Sequence, residues 1–172
     1  MNLYLRLLWL LLTARLRPAC DLLGPCETPM RVWPNDLDIY RHMNNGRYFT
    51  LLDLARTDLM IRAGLLSRIK AAGWFPVVTM ETMQFRRALT LMQKVKIVTR
   101  VLGWDAKSIF LEQHFVRSGE IVASAVIRAR FLRRSGGSVP TAELMALAGH
   151  DEPSPPLPQW VTTWAEATAE QS

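Results

Sequence analysis

The sequence predicts an α+β fold, an antiparallel sheet of about five strands wrapped around one central helix, with an N-terminal helix and a helical C-terminal tail added. Three observations carry this. Tyr48, Leu51, Leu52, Ala55 and Leu59 keep the i, i+3, i+4, i+7 spacing of an amphipathic helix. After Pro76 the apolar period changes to two through four successive segments, and glycine-containing turn stretches separate them. An antiparallel sheet has one face to cover, and the early helix is the element available to cover it.

A short strand is expected over "MRVWP", residues 30–34, ending at the proline. Asn44 or Asn45 is the natural N-cap of the helix, because a short amide side chain accepts from the free donors of the first turn. Gly64 and Gly73 punctuate its end, with a second short helix between them. The first strand segment places Val77, Thr79, Glu81, Met83 and Phe85 on one face. The next three place inward Val95, Ile97, Thr99 and Val101, then Ile109, Leu111, Gln113 and Phe115, and finally Ile121 through Phe131 at alternate positions. "LGWDAKS" and "RSGE" suit hairpin connections, so these strands are expected to be antiparallel neighbours. A short helix follows near residues 141–147, then a proline-rich connector that cannot join a sheet. Trp160 and Trp164, one helical turn apart, mark a terminal segment docked on the surface. The chain thus divides into an apolar helix and connector (1–29), a sheet-and-helix domain (30–150) and a proline-rich tail (151–172).

With 172 residues, 49% apolar and 21% charged, the chain has the composition of one globular domain rather than of a disordered segment. A formal charge of +6 favours an anionic partner. The basic residues are scattered in small groups, which suits a few phosphates better than a long polyanion, and no exposed run interleaves them with aromatics as nucleic-acid binding would require. Cys20 and Cys26 match no zinc or redox spacing and are read as free thiols, which points to a reducing compartment and a cytoplasmic location.

The opening "MNLYLRLLWLLLTARLRP" is too short an apolar run to span a bilayer, which takes about 20 residues. It lacks the leading positive charge and the small-residue cleavage site of a secretory signal. Two readings of residues 1–18 stay open: a helix packed on the domain or at a subunit contact, and an interfacial helix in peripheral contact with a membrane.

Residues 36–56 carry the chemistry. Asp36 and Asp38, then His42, Met43, Asn44, Asn45, Tyr48, Ala55 and Arg56 resemble the D-x-D-x-x-x-H-[VM]-N-N-x-x-Y signature of hotdog acyl thioesterases, the 4-hydroxybenzoyl-CoA thioesterase family, and especially a branch with an N-terminal apolar segment. The sheet-around-helix order is the hotdog arrangement, and the resemblance covers residues 30 to 134. It implies hydrolysis of an acyl-CoA thioester with Asp38 as general base or nucleophile, and a site lying between subunits of a homodimer or homotetramer built by joining sheets.

Elementary chemistry agrees with that placement: a carboxylate activates water, and the amino end of a helix offers unpaired amides to a carbonyl oxygen gathering charge. The backbone donors of Asn45, Gly46 and Arg47 are the candidate oxyanion site, with Gly46 allowing close approach. His42 either orients substrate or bonds a neighbouring loop; one of Asn44 and Asn45 caps the helix while the other holds the carbonyl or the water. Asp36 reads as a turn or surface acid, Tyr48 and Arg56 as packing and ion-pair residues, and Asp53 as the one acid on the polar side of the helix. Thr79 and Glu81 are candidates for the lining of the site; Arg86 with Arg87 and Arg133 with Arg134 are candidates for the phosphates of CoA. His42 and His114 lack a metal-site spacing, no serine triad suggests itself, and no cofactor is expected. Two further readings stay open, hydrolysis of acyl groups carried on acyl carrier protein and non-catalytic binding of an acyl chain or lipid.

Overall fold

The structure is a computed structural model and describes residues 2–169, so Met1 and the last three residues of the expected tail lie outside it. In chain order it contains α1 (Asn2–Ala14), β1 (Cys26–Arg31), a 3-10 turn (Pro34–Asp36), α2 (Asn45–Arg62), α3 (Leu65–Ala71), β2 (Trp74–Phe85), β3 (Lys94–Trp104), β4 (Ile109–Arg117), β5 (Glu120–Arg133), β6 (Ser138–Val139), α4 (Thr141–Ala148) and α5 (Gln159–Ala169). The strands form one antiparallel sheet in the order β1-β3-β4-β5-β2, with the short β6 on β5.

α2 fills the hollow of this sheet. Asn44 is its N-cap and accepts from the amide of Gly46, and the expected stripe of Tyr48, Leu51, Leu52, Ala55 and Leu59 is buried throughout. Each large apolar side chain so enclosed contributes about 1.5–3 kcal/mol. The ring of Tyr48 stands edge-on between Phe85 of β2 and Phe115 of β4, with centroids 5.0 and 4.9 Å away. Three residues outside the stripe, Leu54, Arg56 and Asp58, are buried as well. α1 packs across α2, so the central helix is covered on more than its sheet-facing side.

The inward stripes of β3 and β4 lie as the alternation requires, and Ala123, Ala125, Ile127, Ala129 and Phe131 of β5 are buried. β2 departs from the expected face. Its register with β5 slips between Val78 and Met80, and the bulge exchanges the two faces midway. Pro76 and Val78 therefore face the cavity described below, while beyond the bulge Glu81 meets α2 and Phe85 meets Tyr48. Thr79, the extra residue, is exposed and donates to the carbonyl of Arg128, so it does not line the interior.

The first strand also lies earlier than expected, at Cys26–Arg31, and contains Pro29. Among the described residues β1 is an edge strand paired only with β3, where a missing N–H is tolerated. The reading of free thiols is corrected too: Cys20 and Cys26 are joined, with their Cα atoms 5.7 Å apart. The chain turns back between them, where the amide of Gly24 donates to the carbonyl of Asp21 and Asp21 Oδ1 accepts from Leu23. Gly24 has φ +85°, and a Cβ there would stand 2.6 Å from the carbonyl oxygen of Thr99. The thiol-based ground for a reducing compartment is thereby removed.

On the outer face of the sheet, Phe110 and Val126 pack with Val161 of α5, and Trp164 is half-buried against them while Trp160 stays exposed. The proline-rich connector crosses β3 at Gly103, where a Cβ would lie 2.7 Å from the carbonyl oxygen of Pro155. Ser154 Oγ accepts from the amide of Trp104 at the same crossing.

Candidate active site

The loop before α2 is built on two aspartates with different tasks. Asp36 is fully buried: its carboxylate accepts from the Trp33 amide at 2.8 Å and pairs with Arg6 of α1 at 2.5 Å and Arg47 of α2 at 3.3 Å. It is a structural node and not the surface acid expected from its place in a turn. Asp38 is half-buried and organises its own loop, with Oδ1 accepting from the amides of Tyr40 at 2.8 Å and His42 at 3.2 Å, while its amide donates to the His42 carbonyl. Among the described residues Oδ2 of Asp38 has no hydrogen-bond partner.

His42 is exposed, and its backbone bridges to Thr90. The amide of Gly46 is taken by Asn44 Oδ1 at 2.9 Å and that of Arg47 by the Asn44 carbonyl at 2.9 Å. Of the three donors expected to form an oxyanion site, only the amide of Asn45 is left without an acceptor among the described residues, because the cap satisfies the other two. Asn44 is thus the capping residue, and the Asn45 side chain is exposed.

A cavity of about 470 Å³ lies between the second half of α2 and the sheet, closed by Leu65 of α3, Leu144 and Met145 of α4 and the Leu22–Leu23 turn. This is the size of a small-molecule site. Its wall is apolar except for Asp53, Arg56 and Thr57, all on α2, and it does not include Asp38. Arg56 Nη2 pairs with Asp53 and lies 3.1 Å from Glu81 Oε1 of β2; Nη1 donates to Gln113 Oε1 at 2.7 Å. Gln113 in turn donates to the Leu52 carbonyl and to Thr99 Oγ1, so the guanidinium is held from below by a satisfied neutral network. Burial pushes the carboxyl of Glu81 above its ordinary range; Arg56 opposes that rise and Asp53 adds to it.

Arg56 and Asp53 thus border the interior, although they read as ordinary helix residues from the sequence. The signal that points to them is the pair of polar residues, Thr99 and Gln113, in otherwise apolar inward stripes, since a buried amide requires a partner. Glu81 does face the helix as expected.

The arginines expected to hold CoA phosphates are not brought together. Arg86 and Arg87 follow the end of β2, whereas Arg133 pairs with Trp74 at its start. A 12-residue strand is about 40 Å long, so within one chain the two pairs cannot grip one pyrophosphate. Arg87 is paired with Glu120 at 2.5 Å and Arg133 with Glu143 at 2.6 Å, while the side chains of Arg86 and Arg134 are exposed.

The fold recurs in known proteins. A model of the thioesterase-like superfamily matches residues 32–165. The chain belongs to that superfamily. This thioesterase-like chain is 34% identical over 154 residues to "Protein THEM6" of Xenopus laevis, covering 89% of this chain and 73% of that protein. It is 29% identical over 103 residues to the long-chain acyl-CoA thioesterase FadM of Escherichia coli, covering 59% of this chain and 78% of that one. Among solved structures, the probable thioesterase YbaW of Escherichia coli matches with a TM-score of 0.66 and 26% identity over 70% of this chain and 94% of that one. The fold is the hotdog thioesterase fold, and the reaction class of the family is thioester hydrolysis.

Proposed function

We propose that the protein hydrolyses an acyl-CoA thioester to the free acid and CoA, with Asp38 as general base or nucleophile. The observation that carries this reading is the divided use of the Asp38 carboxylate. Oδ1 is spent on fixing the loop, which leaves Oδ2 oriented and unpartnered before the amino end of α2. Such an oxygen can draw a proton from water or attack the carbonyl carbon. In this reading the Asn45 amide and the positive end of an 18-residue helix receive the charge on the carbonyl oxygen. His42 and the Asn45 side chain, both exposed, are the groups available to hold substrate. Thiol release measured on acyl-CoAs of graded length, beside the same acyl groups on acyl carrier protein, tests the reading. Turnover of the CoA thioesters is expected; turnover of the carrier-protein thioesters alone would replace CoA in this account.

The dimer implied by the family resemblance is supported by the open edge of the sheet. Among the described residues β2 has no outer neighbour, and Phe75, Val78 and Phe85 along it are 39, 42 and 43% exposed. Sedimentation velocity should give twice the chain mass, or four times it.

We infer in addition that α1 meets a membrane surface. Leu10 and Ala14 face inward, whereas Leu5, Leu8, Trp9, Leu12 and Leu16 are exposed along the outer side, and no helix among the described residues is long and apolar enough to cross a bilayer. Arg31 and Lys94 line the groove beside α1, where they favour anionic headgroups, while Lys96 in the same groove is paired with Glu27.

A further inference from the structure

The outer face of the sheet gathers positive charge at one place. Ala129 and Phe131 of β5 are buried on the inner face, so Arg128 and Arg130, which alternate with them, stand side by side on the outer one. Between them lies Ser108, fully buried at the end of the turn from β3 to β4. Its Oγ accepts from Arg128 Nε and from Arg130 Nε, each at 3.1 Å. One hydroxyl therefore fastens two guanidinium groups, and the two Nε atoms stand within about 6 Å of each other.

The charges that meet there do not balance. Asp105 is the acid of the turn: its Oδ1 accepts from the amides of Lys107 at 2.7 Å and Ser108 at 2.6 Å, and its Oδ2 stands 3.7 Å from Arg128 Nη2. Arg128 is also covered by the Phe110 ring, 5.8 Å from Cζ, and its Nη1 lies 3.5 Å from the Ala165 carbonyl of α5. Arg130 has no such company. Among the described residues no acid pairs with it, and its Nη1 and Nη2 are neither bonded nor buried. Two like charges held this close on a half-buried surface repel each other, and a bound anion relieves the repulsion.

We propose that Arg128 and Arg130, held in place by Ser108, form a binding site for a phosphate monoester. The free N–H groups of Arg130 present a fork to two oxygens, and Arg128 supplies the second cation. A phosphate monoester carries close to two negative charges at neutral pH and so matches two guanidinium groups, where a carboxylate matches one. Ser108 is a positioning residue that sets the spacing of the pair. The arginines that the sequence offers to phosphates, Arg86 with Arg87 and Arg133 with Arg134, are not gathered in this way.

The site is remote from Asp38 within one chain. Arg130 pairs with Val77 near the start of β2, whereas Met43 of the Asp38 loop bonds to Leu89 beyond Phe85 at its other end, about 26 Å along the strand. The inference therefore stands whether or not Asp38 performs the reaction.

Isothermal titration of the full chain with inorganic phosphate, with CoA and with 3'-dephospho-CoA, at one ionic strength set by chloride, tests the proposal. Phosphate should bind at one site per chain. Arg130→Gln should weaken it at least tenfold, and Ser108→Ala should weaken it by freeing the pair, with urea midpoints recorded to show that both variants are folded. Arg134→Gln, at an exposed arginine, should bind as wild type does. CoA bound at least tenfold tighter than 3'-dephospho-CoA, with the difference lost in Arg130→Gln, would identify the group as the 3'-phosphate of CoA. Equal binding of those two, with inorganic phosphate lost in Arg130→Gln, would identify a free phosphate as the occupant. If none of the three probes distinguishes wild type from Arg130→Gln and Ser108→Ala, the proposal is overturned. Loss of thioester hydrolysis in Asp38→Asn with phosphate binding retained would show the two sites to be distinct.

Discussion

Arg17 and Asp58 meet in a two-pronged ion pair, Nη2 to Oδ1 at 2.8 Å and Nη1 to Oδ2 at 2.9 Å, with the carboxylate fully buried. Thr28 Oγ1 donates to the same carboxylate at 2.7 Å and Arg62 Nη1 lies 3.2 Å away, so α2, β1 and the segment after α1 converge on one charge. Together with the Arg6–Asp36 pair this fastens both ends of the N-terminal segment to the domain. Removing the acid leaves two arginines facing each other in a desolvated place. Asp58→Ala should therefore lose about 3–5 kcal/mol of stability, read from the midpoint of urea unfolding. A loss no larger than that of an exposed ion pair would show that this junction is not what holds α1.

The outer face of the same segment should matter to membranes and not to folding. Leu8 and Trp9 are 54 and 69% exposed, and Leu8→Glu with Trp9→Glu removes apolar surface that no described part of the chain covers. Flotation with anionic vesicles should be lost while the urea midpoint is unchanged. Undiminished flotation would favour a helix that serves only the domain or a subunit contact.

Gly103 is expected to tolerate no side chain. Gly103→Val drives a branched Cβ against the Pro155 carbonyl and Leu157, and the cost should be about 1–3 kcal/mol with release of α5. Faster proteolysis after residue 149 checks it; wild-type protection would mean that the connector yields.

Much of this arrangement can be read from the chain, and the exceptions have physical reasons. The stripe of α2 and the alternation of β3, β4 and β5 are legible because each residue's face follows from its own neighbours. The bulge at Thr79 is not, since one inserted residue exchanges faces without changing composition. Asp36 looks like a surface acid because one of its arginines, Arg6, stands 30 positions away in the sequence. For the candidate site, the loop that carries Asp38, His42 and Asn44 is legible by its motif and its cap. The clasp of Arg56 and Glu81 depends on two strands and a helix meeting, which spacing alone does not reveal.

Glu81 should make stability depend on pH in a definite direction. Its folded pKa lies above its ordinary value, so the unfolded chain releases this proton first as pH rises. The stabilisation it gives is fully present below the ordinary glutamate range and is lost as pH climbs through the raised value. The stability of wild type relative to Glu81→Gln should therefore fall between mildly acidic and neutral pH. A difference that grows with pH would show the Arg56 contact outweighing burial.

Release of CoA thiol by wild type and by Asp38→Asn, at equal concentration and with matched thermal unfolding, tests the central claim most directly. The substituted side chain would keep the loop-fixing oxygen and lose the base, so turnover should fall by at least about a hundredfold. Equal turnover in the two proteins would contradict the assignment of the reaction to this carboxylate.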